Sequence, residues 1–162
     1  MNYGKIITYD VGNGDGIRIT LFVSGCKRHC KNCFNKQTWD FNYGKPFTEK
    51  TLEFIEKEIN KPYINGITIL GGEPLEFENR EVVSKICKHI KNKYPNKTIW
   101  IYTGFIYEDL IKENDKHLNT ILKNIDVLVD GPFIDELKNI KLQFRGSSNQ
   151  RILKLKGGRL LK

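Results

Sequence analysis

The sequence predicts an α/β protein built as an open, partial (β/α) barrel, shorter than a full eightfold one. Three observations carry that expectation. Short apolar runs alternate with amphipathic helical stretches at βαβ spacing, the pattern of a parallel sheet with crossover helices. Each run gives way at once to glycine, proline, or a polar turn. A closed eightfold barrel takes about 250 residues, and the 162 residues here can build only part of one. They are read as a single domain spanning 1–162.

Taken in order, Lys5 to Asp10 is expected as a short edge strand. Val11 to Gly16 is a turn-rich loop whose alternate glycines fit either unusual backbone dihedrals or a plain tight turn. Ile17 to Val23 reads as a strand with Ile17, Ile19, Leu21 and Val23 on one face. Thr48 is placed to cap a helix over 49–60, with Leu52, Ile55 and Ile59 inward and Pro62 ending it. Gly66 to Leu70 is a buried strand. A second helix runs over 79–94, with Val82, Val83, Ile86, Cys87 and Ile90 inward and Pro95 as its stop. Lys97 to Tyr102 is a third strand. Short helices follow at 107–114 and 116–123, then a strand from Ile125 to Asp130. Arg145 to Arg151 is polar and loop-like, and Arg151 to Lys156 fits a last strand. Right-handed crossovers would put the carboxyl ends of the strands on one rim. On that rim fall Cys26–Cys33, Gly71–Pro74, Thr103-Gly104 and Asp130-Gly131.

No stretch reaches the ~18 apolar residues of a membrane helix, and Met1 to Tyr9 has no signal-peptide pattern. A reducing cytoplasm is expected. There, Cys26, Cys30 and Cys33, within eight residues of one another, favour metal over disulfides. Cys87 belongs to a helical core. The net charge of +8 fits a lysine-rich solvated surface, or an acidic partner.

The C-x3-C-x2-C spacing carries chemistry. A closed structural zinc site and a ferredoxin-type cluster each need four ligands. Three thiols around a cubane leave one iron open to a small molecule. The alternative is zinc with His29 as fourth ligand, strained because His29 and Cys30 are adjacent. Gly71-Gly72-Glu73-Pro74, directly after a strand, lets a ligand approach backbone groups at the strand end. Glu73 is placed to accept from a cation or to shape the loop.

These residues together resemble the radical S-adenosylmethionine superfamily. Further motifs are Asn13-Gly-Asp-Gly-Ile-Arg, Phe22-Val-Ser-Gly-Cys, Cys33-Phe-Asn, Thr38-Trp39, Tyr102-Thr-Gly, Asp126-Val-Leu-Val-Asp-Gly-Pro-Phe and Arg145-Gly-Ser-Ser-Asn-Gln-Arg. With them the chain is similar to the activating proteins of anaerobic (class III) ribonucleoside-triphosphate reductases. The resemblance implies the superfamily's partial barrel. It implies a [4Fe–4S] cluster on Cys26, Cys30 and Cys33, with S-adenosyl-L-methionine at the open iron. It implies reductive cleavage to a 5′-deoxyadenosyl radical, which generates a glycyl radical on the reductase. By the same resemblance Gly71, Gly72 and Glu73 serve the methionine amino group, and Asn32, Cys33 and Phe34 flank the adenine. Many members carry an aromatic residue where Asn32 stands. Thr103 and Asp130 are candidates for ribose or methionine contacts, and Asp130 reads equally as a turn carboxylate. Arg145 and Arg151 fit a carboxylate, the partner, or plain surface. Trp39 fits the partner groove or the core. The implied partners are the reductase large subunit and a flavodoxin- or ferredoxin-like electron donor, with no nucleic acid and no membrane.

Two other functions are compatible with parts of the pattern. One is activation of a different glycyl-radical enzyme, such as pyruvate formate-lyase. The other is a basic zinc module that binds nucleic acid, for which no aromatic-plus-basic recognition motif is present.

Overall fold

The computed structural model describes residues 1–162. Its elements run β1 (Asn2–Asp10), β2 (Arg18–Val23), β3 (Lys45–Pro46), α1 (Glu49–Ile59), β4 (Gly66–Gly71), α2 (Phe77–Lys93), β5 (Thr98–Tyr102), α3 (Tyr107–Leu110), α4 (Lys116–Asn124), β6 (Val127–Asp130), β7 (Arg151–Lys156) and β8 (Arg159–Leu160). Two 3-10 turns, Lys36–Trp39 and Asp135–Leu137, complete it.

All strands join one open sheet in the order β3-β1-β2-β4-β5-β6-β7-β8. Strands β2, β4, β5 and β6 are parallel, which places four carboxyl ends on one rim. The flanks depart from an all-parallel sheet: β1 and β7 pair antiparallel with β2 and β6. For β1 the reason is its connection. Residues 11–17 between β1 and β2 are too few for a parallel crossover, which takes about a dozen or more. Strand β1 is also longer than expected and is not the edge, because β3 folds back onto Asn2 and Tyr3. Gly44, at φ 80, makes that return possible. The expected helix over 107–114 shrinks to the single turn of α3.

The sheet has two unlike faces. Ile19, Leu21, Val23, Ile67, Ile69, Ile99, Ile101 and Leu128 belong to one core cluster with Ile55 and Ile59 of α1, Val83, Ile86, Cys87 and Ile90 of α2, and Leu118 and Ile121 of α4. Alternation along each strand turns Arg18, Thr20, Phe22, Thr68, Leu70, Trp100, Tyr102, Val127 and Val129 the other way. That second face is also largely buried, covered in part by Phe144 from the long β6–β7 connection, edge-on to Trp100 at 5.5 Å.

Helix α1 starts at a reciprocal cap between Thr48 and Thr51. Helix α2 begins two residues earlier than its sequence pattern suggests. Its first-turn side chains turn back toward the rim: Asn79 Nδ2 donates to the carbonyls of Ser24 and Glu73, each at 3.0 Å, and Arg80 Nε donates to that of Leu75 at 2.9 Å. Secondary structure and rim are thereby tied together. No helix is long and apolar enough to cross a membrane.

Candidate cofactor site at the carboxyl rim

The cysteine loop leaves the end of β2 through Ser24 and is held from three sides. Gly25 N donates to Thr38 O at 2.7 Å and Cys26 N to Trp39 O at 3.1 Å, so the Lys36–Trp39 turn runs beside it. From the end of β4, Gly72 N donates to Val23 O and Glu73 N to Gly25 O, both at 2.8 Å. From the approach to α2, Glu76 accepts from Lys27 N at 2.9 Å. Gly25 sits at φ 100, and a side chain there would strike the Phe41 ring. Beyond Cys26 the loop turns through left-handed backbone at His29 and Asn32, φ 50 and 54.

Cys26, Cys30 and Cys33 all line one cavity of about 430 Å³, a size common for small-molecule sites. All three are free thiols, partly buried. Burial pushes the Cys26 and Cys30 thiols up, and the Arg28 charge pulls against that at Cys30. No three His, Cys, Asp or Glu side chains converge at the spacing one ion needs. His29 stacks on Trp39 at 4.3 Å and 15° and is not part of the cavity wall.

Gly71, Gly72 and Glu73 line the same cavity. The two glycines also serve the protein's own packing. A Cβ on Gly71 would lie 2.7 Å from Val23 N and O, and one on Gly72 would lie 2.6 Å from Gly25 O. Strand end and cysteine loop therefore touch backbone to backbone. Glu73 is 2% exposed and shapes the loops. Oε1 accepts from Thr103 Oγ1 at 2.7 Å and Leu75 N at 3.0 Å, and Oε2 accepts from Gly104 N at 2.7 Å. Burial pushes its carboxyl up to about 7, with the three donors pulling it back.

Thr103 lines the cavity, but its hydroxyl is given to Glu73. Phe34 lines it too, packed on Phe133 at 5.3 Å, with Lys138 over its ring at 4.9 Å. Two of the expected contacts stand off the cavity wall. Asn32 faces away, its Nδ2 donating to Asp135 at 2.8 Å. Asp130 is fully buried and accepts from Arg151 Nε and from Tyr107 N, both at 2.9 Å. It has the role of the turn carboxylate. Arg151 also bridges to Glu108 at 2.7 Å and is likewise not on the wall.

The wall further holds Arg28, Tyr102, Phe133, Phe144 and Arg145. Tyr102 was within reach of sequence reading, since it shares a face with Trp100 at a strand end. Arg28 lies over the Phe105 ring at 5.1 Å and against Gly104, where any side chain would collide with it. Phe133 and Arg145 belong to segments whose motifs sequence reading picked out, whereas Phe144 comes from an irregular stretch without periodicity, which gives no signal of where it folds. Three residues that line the cavity each bury one polar atom without a partner: Trp39 Nε1, Tyr102 OH and Arg145 Nε.

Comparison with known proteins agrees with this layout. Residues 12–153 match the family model of a 4Fe-4S single cluster domain. An anaerobic ribonucleoside-triphosphate reductase-activating protein of Enterobacteria phage T4 is 41% identical over 152 residues, 94% of this chain and 93% of the relative. The protein of that name from Escherichia coli K12 is 41% identical, covering 93% and 96%. That of Haemophilus influenzae is 39% identical over 158 residues, covering 96% and 99%. With a three-cysteine cavity at the rim and likeness over nearly its whole length, the chain belongs to the family of anaerobic ribonucleoside-triphosphate reductase-activating proteins, with a 4Fe-4S single cluster domain.

Proposed function

We propose that this chain is a radical S-adenosylmethionine enzyme, acting as one domain in the cytoplasm, that installs a glycyl radical on the anaerobic ribonucleoside-triphosphate reductase. When bound, a [4Fe–4S] cluster would pass one electron from an external donor to the sulfonium of S-adenosylmethionine, giving methionine and a 5′-deoxyadenosyl radical that takes a hydrogen atom from a glycine α-carbon. The observation that carries the reading is the single cavity on which Cys26, Cys30 and Cys33 meet the end of β4.

The chain's residues have distinct tasks in it. Cys26, Cys30 and Cys33 would hold the cluster, and with three protein ligands it would keep a position for the chemistry. Gly71 and Gly72 let the strand end approach both the cysteine loop and the cofactor's amino group. Glu73 fixes Thr103 and Gly104 beside them, so these two positions act as a unit. Phe34 and the backbone at Cys33 offer a surface to the adenine, with Asn32 holding the loop to Asp135. Asp130 acts from behind the wall, through Arg151 and Tyr107. The open sheet is read as a partial barrel, and its incompleteness leaves a side entrance for a protein substrate. The wall excludes bulk water from a reactive radical while positioning the substrate. An acidic flavodoxin or ferredoxin is the natural electron donor for a basic protein.

The test is anaerobic reconstitution with iron and sulfide, then reduction in the presence of S-adenosylmethionine. The expected result is a brown protein that forms 5′-deoxyadenosine, with Cys26→Ala, Cys30→Ala and Cys33→Ala each losing both cluster and product. A folded protein that takes zinc, refuses the cluster and leaves the sulfonium intact overturns the reading. Radical transfer to pyruvate formate-lyase and not to the reductase would reassign the partner alone.

A further inference from the structure

We infer that the β7–β8 hairpin is a docking arm for the reductase, presenting a basic face to an acidic surface of that protein. The inference rests on the proposed function and adds to it a place where the partner is held. The excess charge of the chain is not spread evenly. All 19 acidic residues lie at or before Glu136, where 19 basic residues balance them. After Glu136 the chain has eight basic residues and no acidic one, so its last part carries the whole net charge of +8. Of those eight only Arg151 forms ion pairs, with Glu108 and Asp130.

The hairpin gathers three of the free cations on one face. In the register of β6 with β7, Val127 stands opposite Lys154 and Val129 opposite Ile152. Val127 and Val129 belong to the cluster on which Tyr102 and Phe144 of the cavity wall pack. Alternation therefore puts Ile152, Lys154 and Lys156 on the cavity's side of the sheet. Arg159, opposite Lys156 across β8, joins them. All four are exposed. The face is continuous with the site, because Gln150 is on the cavity wall and Ile152 follows two residues later.

The hairpin's own stability does not account for these charges. Gly157 and Gly158, at φ 60 and 83, form its two-residue turn, which sets Lys156 directly opposite Arg159. Like charges so placed weaken a strand pair. A short edge strand is guarded by charge of either sign, and an acid facing Arg159 would serve the pairing better. The sign of the charge therefore points outward, to a partner of opposite sign. Position selects the reductase over an electron donor. A donor has to come close to the cysteine loop, which leaves β2, and β7 stands four places from β2 in the sheet, about 19 Å along it at the usual strand spacing. A protein substrate has to cover the cavity, and a standard interface of about 800 Å² per partner reaches the hairpin beside it. For nucleic acid the face offers no aromatic ring on which a base could stack.

The experiment measures anaerobic binding of the cluster-loaded protein, with S-adenosylmethionine, to immobilised reductase. The double substitution Lys154→Glu, Lys156→Glu is expected to slow association about tenfold at low ionic strength, with dissociation within about threefold of wild type. The difference should vanish near about 1 M salt, where the screening length is about 3 Å. Formation of 5′-deoxyadenosine with a chemical reductant should stay within about twofold, and the melting temperature should not fall. Unchanged association, or a loss that salt does not abolish, overturns the inference. So does a defect seen only when an acidic electron-transfer protein replaces the chemical reductant, or only in binding of duplex DNA or RNA. A wild-type protein that binds the reductase with this salt dependence yet forms no glycyl radical keeps the inference and counts against the proposed chemistry. A wild-type protein that forms 5′-deoxyadenosine but does not bind the reductase overturns the partner in the proposed function, and this inference with it.

Discussion

The inner face of the sheet has two ends that treat polar groups in opposite ways. At the amino end lies Arg18, 0% exposed, with no carboxylate against it and its nitrogens spent on the protein. Nε donates to Thr68 Oγ1 at 2.8 Å, Nη1 to Asp15 O at 3.0 Å and Thr98 Oγ1 at 2.9 Å, and Nη2 to Ile67 O at 2.8 Å and Thr98 O at 2.9 Å. Trp100 covers the guanidinium at 5.4 Å. Beside it Asp10 accepts from Thr20 at 2.6 Å and from Asn13 at 2.7 Å. At the carboxyl end, Tyr102 OH and Arg145 Nε are as deeply buried and have no partner. Both ends break the rule that sheet interiors are apolar. Only the amino end satisfies what it buries, and that marks it as scaffold. The carboxyl end is unfinished, and that marks it as a place for ligands.

Substitutions should separate the two ends. The largest effect is expected for Arg18→Met, which strips five acceptors of their donor inside the sheet. The loss should be on the order of 4 kcal/mol, read as a lower denaturant midpoint in the cluster-free protein. Next is Thr68→Val, which removes a hydroxyl that both accepts from Arg18 and donates to Asn13 O. Its cost should be about 2 kcal/mol. Glu73 gives an effect of comparable size that depends on pH. Its carboxyl is raised from 4.5 to about 7, so between those values the folded chain keeps a proton that the unfolded chain has lost. Stability should therefore fall as pH rises through that window and level off above it, by about 3 kcal/mol. Melting of the cluster-free protein across the window should show this decline, and Glu73→Gln should lack it. The smallest effect belongs to Tyr102→Phe. Removing a buried hydroxyl with no partner should leave stability unchanged or raise it by about 1 kcal/mol. Thr68→Val and Tyr102→Phe delete the same group from opposite ends of one face. Equal costs would remove the distinction drawn between them.

Much of this was legible in the sequence. Thr48 capped its helix, Arg151–Lys156 formed a strand, though β8 and not this one is the last, and Ile19, Leu21 and Val23 pointed to one face because their period was clean. That Cys26, Cys30 and Cys33 come together on one cavity was legible because their spacing is local. The direction of β1 was also encoded, in the shortness of residues 11–17. Strands β3 and β8 were not legible, since two residues carry no period and pair only because a neighbour passes by. The burial of Arg18 had no local signal either, because it depends on acceptors as distant as Thr98. The same holds at the site. Cys26, Cys30 and Cys33 share a sequence neighbourhood, whereas Tyr102 and Arg145 meet the cavity through different elements. Asp130 shows the converse: a carboxylate at a strand end looks like a ligand until Arg151 and the Tyr107 amide are seen to occupy it.

The central claim is that the carboxyl end of the sheet generates a radical for another protein. The most direct measurement is electron paramagnetic resonance of the anaerobic reductase after mixing with the reconstituted chain, S-adenosylmethionine and a one-electron reductant. The account predicts a glycyl doublet on the reductase, formed with stoichiometric 5′-deoxyadenosine and absent with Cys30→Ala. A cluster-loaded wild-type chain that cleaves the sulfonium yet leaves the reductase without that signal would contradict it.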